Sequence, residues 1–229
     1  MQLNRWSAGS MVLVLAAATI LSPPAAAQRQ QRRKDDSRRM MKAHRNAKDT
    51  APKVGDDAPN FKLAMHDGDK DLELTSLRGK KPVVLVFGSY TCPPFRHQVK
   101  ALIALKERYG DVAAFYVIYI KEAHAADSRR PIPIKGEEAI NEPTSLEERK
   151  SVASKCMAKL NLDVPCLVDD MDNTTSTTYN AGPDRIFVVD EQGKIAVRAE
   201  AGPRGFGPGV QEATKWLATH FPDRAKSSG

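Results

Sequence analysis

Residues 83–95 read VVLVFGSYTCPPF, and this stretch decides the fold of the chain. Five consecutive apolar residues followed by Gly88 are typical of a short strand buried on both faces. After Pro94 the apolar residues recur at helical spacing, which predicts a helix directly behind the strand. Proline is tolerated in a first helical turn, because an N–H there has no intrahelical partner to lose.

Cys92 therefore lies where a buried strand meets the N-terminus of a helix. Free N–H groups and the helix dipole favour a thiolate at such a position. We accordingly expect the pKa of Cys92 to be lowered and its sulfur to act as a nucleophile. Thr91 and Ser89 are candidates to donate a hydrogen bond to that thiolate, with bonding to local backbone as the alternative.

Further elements follow in alternating order. A Pro-, Asp- and Gly-containing lead-in precedes the central strand, and a capping box at Ser145 and Glu148 predicts the start of a second helix. The other predicted elements are a buried strand at 113–120, a charged insertion at 121–144, a strand at 164–168, a helical turn at 176–179, a hairpin of 185–190 and 194–198, and a helix at 210–220.

This order predicts an α/β fold, a thioredoxin-like sandwich in which helices flank a central mixed sheet, with an insertion after the second core strand. Gly182 and Pro183 lie where that fold keeps a cis-proline facing the reactive thiol. We place the domain at residues 54–222 and a disordered tail at 223–229.

The cysteines form neither a zinc pattern nor a disulfide framework. There are three of them, and Phe95 stands where a CxxC motif would place its second cysteine. Cys156 is on the apolar face of its predicted helix, which favours core packing over a role as resolving thiol. Cys166, on a short apolar strand, is the other candidate resolving thiol.

Charge is concentrated before the domain. Residues 28–53 hold ten Lys and Arg against three Asp, whereas the predicted domain that follows has a net charge near zero. Such a run predicts a disordered basic spacer. It has no interleaved aromatic residues and no nucleic-acid motif, so we expect no nucleic-acid partner.

Residues 1–27 have a basic start, a short apolar block and small residues at the end, the order of a secretory signal peptide. We therefore expect export to the periplasm or beyond the cell. The alternative is an uncleaved N-terminal helix that attaches the protein to the membrane, although the apolar block is shorter than the ~20 residues that cross a bilayer.

Two blocks of the chain resemble the iodothyronine deiodinase family, and more distantly the peroxiredoxins. The first block is FGSYTCPPF at 87–95, and the second is VIYIKEAHAAD at 117–127. The similarity continues in order through Arg149, Asp169, Tyr179 and Arg185. Three positions differ from the family pattern: Cys92 replaces selenocysteine, Pro143 replaces a histidine, and Arg129 replaces a tryptophan.

The resemblance implies a thioredoxin fold and an oxidoreductase that removes iodine from a phenolic substrate, with a thiol as co-substrate. It assigns Cys92 as nucleophile and places His124 and Arg185 at the substrate, near Pro183. His124 follows a buried strand at its carboxyl end, the usual ligand side of an open α/β sheet, where it can donate a proton or hold a phenolate. Arg185 is a candidate to clamp a carboxylate or lower the pKa of Cys92, with a surface ion pair as the alternative.

The rival hypothesis is a thiol peroxidase or thiol–disulfide oxidoreductase, and a third is a binding domain without catalysis. In either enzymatic case we expect a small-molecule substrate and an external thiol or thioredoxin-like donor as reductant. We expect no bound cofactor and no metal. The sequence leaves open whether the chain forms a homodimer.

Overall fold

The computed structural model describes residues 24–32, 35, 49–202 and 204–225 of the 229-residue chain. The chain divides into two compact units, residues 1–48 and residues 49–229. In the first unit, residues 25–32 form helix α1, and the Gln31 side-chain amide donates to Asp35 at 3.2 Å. The predicted leader, apart from residues 24–27, lies outside the described residues.

Two parts of the predicted spacer are ordered where the structure describes them. Residues 28–32 belong to α1, as their Gln and Arg content permits. Residues 49–53 belong to the second unit, where Ala51 is buried in the core. The domain thus begins at Asp49 rather than at Val54. At the other end, helix α6 (Pro222–Ala225) occupies the start of the predicted tail, whose last four residues are not described.

A mixed sheet of seven strands organises the second unit, in the order β2-β1-β5-β4-β3-β6-β7. Strands β3, β4 and β5 are parallel, and the outer strands pair antiparallel. The strands are β1 (Lys62–Met65), β2 (Asp71–Glu73), β3 (Val83–Gly88), β4 (Ala114–Tyr119), β5 (Cys166–Val168), β6 (Arg185–Val189) and β7 (Ile195–Arg198). The helices of this unit are α2 (Pro93–Tyr109), α3 (Leu146–Lys159), α4 (Thr174–Thr178), α5 (Phe206–His220), α6 and a short 3₁₀ helix (Leu74–Leu77).

The central strand β3 is buried along its whole length, as its apolar run predicts. Its side chains alternate between two cores because successive residues of a strand point to opposite faces. On one face Val84 and Val86 pack with residues of α2, α3 and α5, and this core contains Cys92. On the other face Leu85 and Phe87 pack with the lead-in segment and Tyr179. The thioredoxin-like α/β architecture predicted from the sequence is confirmed.

Two elements differ from the sequence-based prediction. The lead-in contains the antiparallel hairpin of β1 and β2, in which Leu63 is opposite Leu72. These strands are short and carry charged residues, and β1 is stabilised by pairing with β5, a contact distant in sequence. Helix α5 begins at Phe206 rather than at residue 210, because Pro208 falls in its first turn, where no intrahelical bond is lost.

The insertion at 121–144 contains no helix or strand, yet backbone and side-chain bonds anchor it. Ala126 N donates to Ile140 O at 2.7 Å, and the Glu137 carboxylate pairs with Lys159 at 2.9 Å. Glu142 accepts from the Glu122 backbone N–H at 2.9 Å. The insertion is therefore held against the carboxyl end of β4, next to the cysteine.

Candidate active site around Cys92

Cys92 occupies the N-cap of α2, with extended backbone angles and prolines in the first helical turn. Its N–H donates to Ser89 O at 3.1 Å, which closes the turn between β3 and α2. Gly88 is required at the end of β3, because a Cβ there would lie 2.3 Å from the Phe95 ring. Phe95 is itself wholly buried, so the position of a CxxC second cysteine is part of the core.

The surroundings of Cys92 favour the protonated thiol over the thiolate. Cys92 is 1 % exposed, and its Sγ donates to Asp184 Oδ2 at 3.1 Å. Burial, followed by the negative charge of Asp184, raises the pKa of Cys92, and the backbone N–H of Phe95 opposes this only in part. The predicted lowering of the pKa is therefore wrong for this structure. A helix N-terminus contributes about 1 kcal/mol at most in an ordinary site, and burial beside a carboxylate outweighs it.

A buried carboxylate organises the loops on either side of the cysteine. Glu122 Oε2 accepts from the Thr91 backbone N–H at 2.9 Å and from the Thr91 hydroxyl. Glu122 Oε1 accepts from the Tyr119 hydroxyl, and burial together with Glu122 raises the pKa of Tyr119. Both Glu122 oxygens are thus occupied, and the residue before Cys92 is fixed to the end of β4.

The hydroxyls of Ser89 and Thr91 bond to this network rather than to the cysteine sulfur. Ser89 Oγ accepts from Ala123 N at 3.1 Å, and Thr91 Oγ1 accepts from His124 N at 3.0 Å. The predicted hydrogen bonds to a thiolate are absent among the described residues, and the alternative of bonding to local backbone is not met either, because the backbone partners are more than 30 positions away in the chain. Both hydroxyls position the loop that carries His124.

His124 is half-buried, and its own backbone N–H makes the contact with Thr91, as its place after the end of β4 predicts. Its ring Nδ1 lies 2.9 Å from Arg130 O. A carbonyl oxygen only accepts, so Nδ1 carries the proton, and Nε2 of the neutral ring offers a lone pair. The structure thus brings Cys92 and His124 to the same end of the sheet.

Asp184 is the site residue that the sequence reasoning did not identify. It is fully buried, and burial raises the pKa of its carboxyl, whereas the bond from Cys92 lowers it. The Gly182–Pro183 peptide bond directly before it is cis, as predicted. An acidic residue immediately after that proline was the available signal.

Arg185 lies away from the cysteine, contrary to the substrate role that the resemblance suggested. Its guanidinium is 5.3 Å from the Phe187 ring, in the core on the other face of the sheet. It is fully buried and forms a two-pronged bond to the Asp49 carboxylate at 2.8 and 3.0 Å. Neither a substrate clamp beside Cys92 nor a lowering of the Cys92 pKa follows from this position. The surface ion pair considered as the alternative is also absent, since the pair is internal.

Cys166 lies two strands from β3, the strand that leads to Cys92, and this separation disfavours it as the resolving thiol. Cys166 aligns with Val117 on β4, which aligns with Val86 on β3. Cys166 is therefore two strands, or roughly 10 Å, from Val86. Cys92 is six residues beyond Val86 in sequence, past the end of β3. A disulfide needs Cα atoms within about 7 Å.

Cys156 packs in the core, as predicted from its helix face, and both it and Cys166 are fully buried. Burial first, and then the neighbouring Cys166 sulfur, raises the pKa of Cys156. Burial likewise raises the pKa of Cys166. All three cysteines are free thiols in the structure, and they belong to the same hydrophobic core.

Neither a cluster of metal ligands nor a membrane-spanning helix is found in the described part of the chain. That part contains no group of three or more His, Cys, Asp or Glu side chains arranged to hold a metal ion. Of the helices in the described ranges, none combines the length and apolar character needed to span a bilayer.

Known structures share the fold at low sequence identity. A chain from Chlorobium tepidum, described as a thiol:disulfide interchange protein DsbE, superposes with a TM-score of 0.53 at 19 % identity over 74 % of this chain and 98 % of its own. The peroxidoxin BcpB from Mycobacterium tuberculosis gives 0.52 at 17 % identity over 73 % and 97 %. These similarities establish the fold alone.

Sequence relatives are closer. Thyroxine 5-deiodinase of Gallus gallus is 33 % identical over 77 % of this chain and 66 % of its own length, and the type I iodothyronine deiodinase of Xenopus laevis is 35 % identical over 68 % and 60 %. The chain thus spans somewhat less than two thirds of these relatives. The iodothyronine deiodinase family profile matches residues 25–221. The chain belongs to the iodothyronine deiodinase family.

Proposed function

We propose that this protein is a thiol-dependent oxidoreductase that removes iodine reductively from an iodinated phenol, with Cys92 as the nucleophile. The observation that carries the proposal is the position of Cys92. In a chain that matches the deiodinase family over residues 25–221, its sulfur lies at the strand–helix junction against Asp184, beside the loop that carries His124.

The proposed reaction begins when the Cys92 thiol loses its proton and the sulfur attacks iodine. The electron pair of the carbon–iodine bond stays on carbon, which takes up a proton, and a sulfenyl iodide remains on Cys92. An external thiol displaces iodide and forms a mixed disulfide. A second thiol then releases Cys92 as thiol, so the two thiols supply both electrons and leave as a disulfide.

His124 is suited to hold the phenol in this reaction. With Nδ1 bonded to Arg130 O, the Nε2 lone pair can accept a hydrogen bond from a phenolic hydroxyl. Because Cys92 is 1 % exposed, an aryl substrate reaches the sulfur only after the surrounding loops move. The reductant in this proposal is external, since Cys156 and Cys166 are fully buried free thiols and neither forms a disulfide with Cys92.

The test is iodide release from 2-iodophenol by the purified protein with dithiothreitol. We expect release that is lost in Cys92→Ser and kept in Cys156→Ala, a matched control that removes another buried thiol. Equal release by Cys92→Ser would contradict the assignment.

A thiol peroxidase is the second candidate, and the burial of Cys92 favours it, because hydrogen peroxide needs a smaller movement of the loops to reach the sulfur than an aryl iodide does. Peroxide would be reduced to water as Cys92 becomes a sulfenic acid, which two external thiols return to the thiol. Rapid peroxide consumption without any iodide release would replace the first function with this one.

For the N-terminus we propose export through a cleaved leader at residues 1–27, on the basis of its charged start and apolar block. An uncleaved membrane anchor is the alternative. N-terminal sequencing of the protein from its native cells separates the two, because export predicts a mature chain that starts near Gln28.

A further inference from the structure

The Asp184 carboxyl group is only half satisfied. Oδ2 accepts from the Cys92 thiol at 3.1 Å, whereas Oδ1 is buried without a hydrogen-bond partner among the described residues. A Cβ on Gly202 would lie 2.2 Å from Oδ1, so the backbone at Gly202 closes over the carboxyl. The side chain is 0 % exposed, and it is therefore sealed with the sulfur as its one partner.

Negative charge on the Cys92–Asp184 pair is poorly stabilised. A buried carboxylate oxygen without a donor loses its hydration and gains nothing in return. A thiolate and a carboxylate in contact also repel, so the two groups do not both ionise readily. Among the described residues no Lys or Arg forms an ion pair with Asp184 that would stabilise the anion. A single proton shared between sulfur and oxygen is the arrangement that this environment favours.

The other ionisable groups near the cysteine are less suited to take that proton. Both oxygens of Glu122 already accept hydrogen bonds from Thr91 and Tyr119. His124 meets the turn before Cys92 through its backbone N–H, while its ring Nδ1 bonds to Arg130 O. Asp184 is the group in direct hydrogen-bond contact with the sulfur.

We propose that Asp184 is the proton acceptor that converts the Cys92 thiol into the reactive thiolate, an assignment that deepens the proposed function and rests on it for the later steps. The S–H bond breaks and an O–H bond forms at Oδ2, leaving the electron pair on sulfur and a neutral carboxylic acid beside it. When external thiol later releases Cys92 from the mixed disulfide, Asp184 returns the proton to the leaving sulfur. No oxidant or reductant is consumed in either transfer.

The test measures alkylation of Cys92 by iodoacetamide against pH, located by mass spectrometry, in wild type and Asp184→Asn. In wild type the proton moves within the pair, so the rate should be nearly independent of pH from about 6 to 8. In Asp184→Asn the proton must go to solvent, and the rate should rise about tenfold per pH unit. At pH 6 we expect the variant to react at least about tenfold more slowly than wild type.

Asp163→Asn is the matched control, since the Asp163 side chain is 99 % exposed, and it should follow the wild-type profile. A wild-type rate that rises tenfold per unit in parallel with Asp184→Asn would overturn the proposal. Alkylation does not depend on dehalogenation, so an absence of iodide release would sink the proposed function and leave this result standing.

A second measurement needs no variant at Asp184. The infrared S–H stretching band of Cys92, identified by its loss in Cys92→Ser, should lie at lower frequency than the bands of Cys156 and Cys166. The reason is the 3.1 Å bond to a carboxylate, compared with 3.6 Å from Cys166 Sγ to a backbone carbonyl. A Cys92 band at or above the other two would refute the contact and the proton transfer with it.

Discussion

Asp184 and Arg185 are consecutive in the chain, fully buried, and on opposite faces of the sheet. Arg185 has a partner for each nitrogen: its Nε donates to Ala199 O, and its other two nitrogens bind the Asp49 carboxylate. Asp184 has one partner, the reactive sulfur, and an oxygen with none among the described residues.

This difference distinguishes a charged group that stabilises the fold from one that can exchange a proton. A buried ion that is fully bonded is stable in one ionisation state and contributes to holding the fold together. A buried ion that is partly bonded costs stability and changes its protonation easily. The side chain that the resemblance placed at the substrate is of the first kind, and its neighbour is of the second.

Removing the structural charge should have the largest effect on stability. We expect Arg185→Met to lose about 3 kcal/mol of unfolding free energy, because it removes the two-pronged bond to Asp49, which keeps only Arg198 as an ion-pair partner among the described residues, and the bonds to two backbone carbonyls. Urea denaturation measures it. Arg78→Met is the control, because Arg78 and Asp57 are an exposed pair whose loss should cost less than about 1 kcal/mol.

The same variant tests whether the two faces are independent. Folded Arg185→Met should be alkylated at Cys92 at a rate within about twofold of the wild-type rate. Arg185 and Cys92 have no common partner among the described residues, and effects at such sites are usually independent. A large fall in Cys92 reactivity would show that Arg185 acts on the sulfur after all.

The two carboxyls should give opposite pH dependence of stability, because one pKa is lowered on folding and the other is raised. Bonding to Arg185, against a smaller effect of burial, holds the pKa of Asp49 well below its usual range, so this stabilisation is complete above the usual Asp pKa and is lost as pH falls. Burial raises the pKa of Asp184, so its stabilisation exists at low pH and is lost as pH rises through the raised value.

Urea midpoints recorded from pH 3 to pH 8 measure both effects. The stability of Asp49→Asn should fall furthest below that of wild type at neutral pH and should approach the wild-type stability in acid. The stability of Asp184→Asn should instead increase relative to that of wild type as pH rises. Parallel curves for the two variants would contradict the contrast between the two faces.

The smallest effect is expected at Cys166. Because Cys166 is a fully buried free thiol two strands from β3, Cys166→Ala should leave turnover with dithiothreitol within about twofold of wild type. Mass spectrometry after limiting oxidant should find a sulfenic acid on Cys92 and no disulfide between the two residues. A Cys92–Cys166 disulfide would mean that the sheet opens during the reaction.

Much of the fold could be predicted from local pattern. The apolar run before Gly88 and the helical spacing after Pro94 identify β3 and α2, and Ser145 and Glu148 identify the start of α3. The β1–β2 hairpin escaped prediction because its short, charged strands depend on pairing with β5, which no local window contains.

The sequence by itself determined that a cysteine ends a buried strand and caps a helix, and that His124 follows the neighbouring strand. Those features depend on residue order and on the periods of helix and strand. Only the tertiary structure decided which charges surround the sulfur. Asp184 is 92 positions away in the chain, and its buried contact raises the pKa of Cys92 where the helix terminus alone would lower it. Desolvation and charge act through space, so a pattern read along the chain carries no record of them.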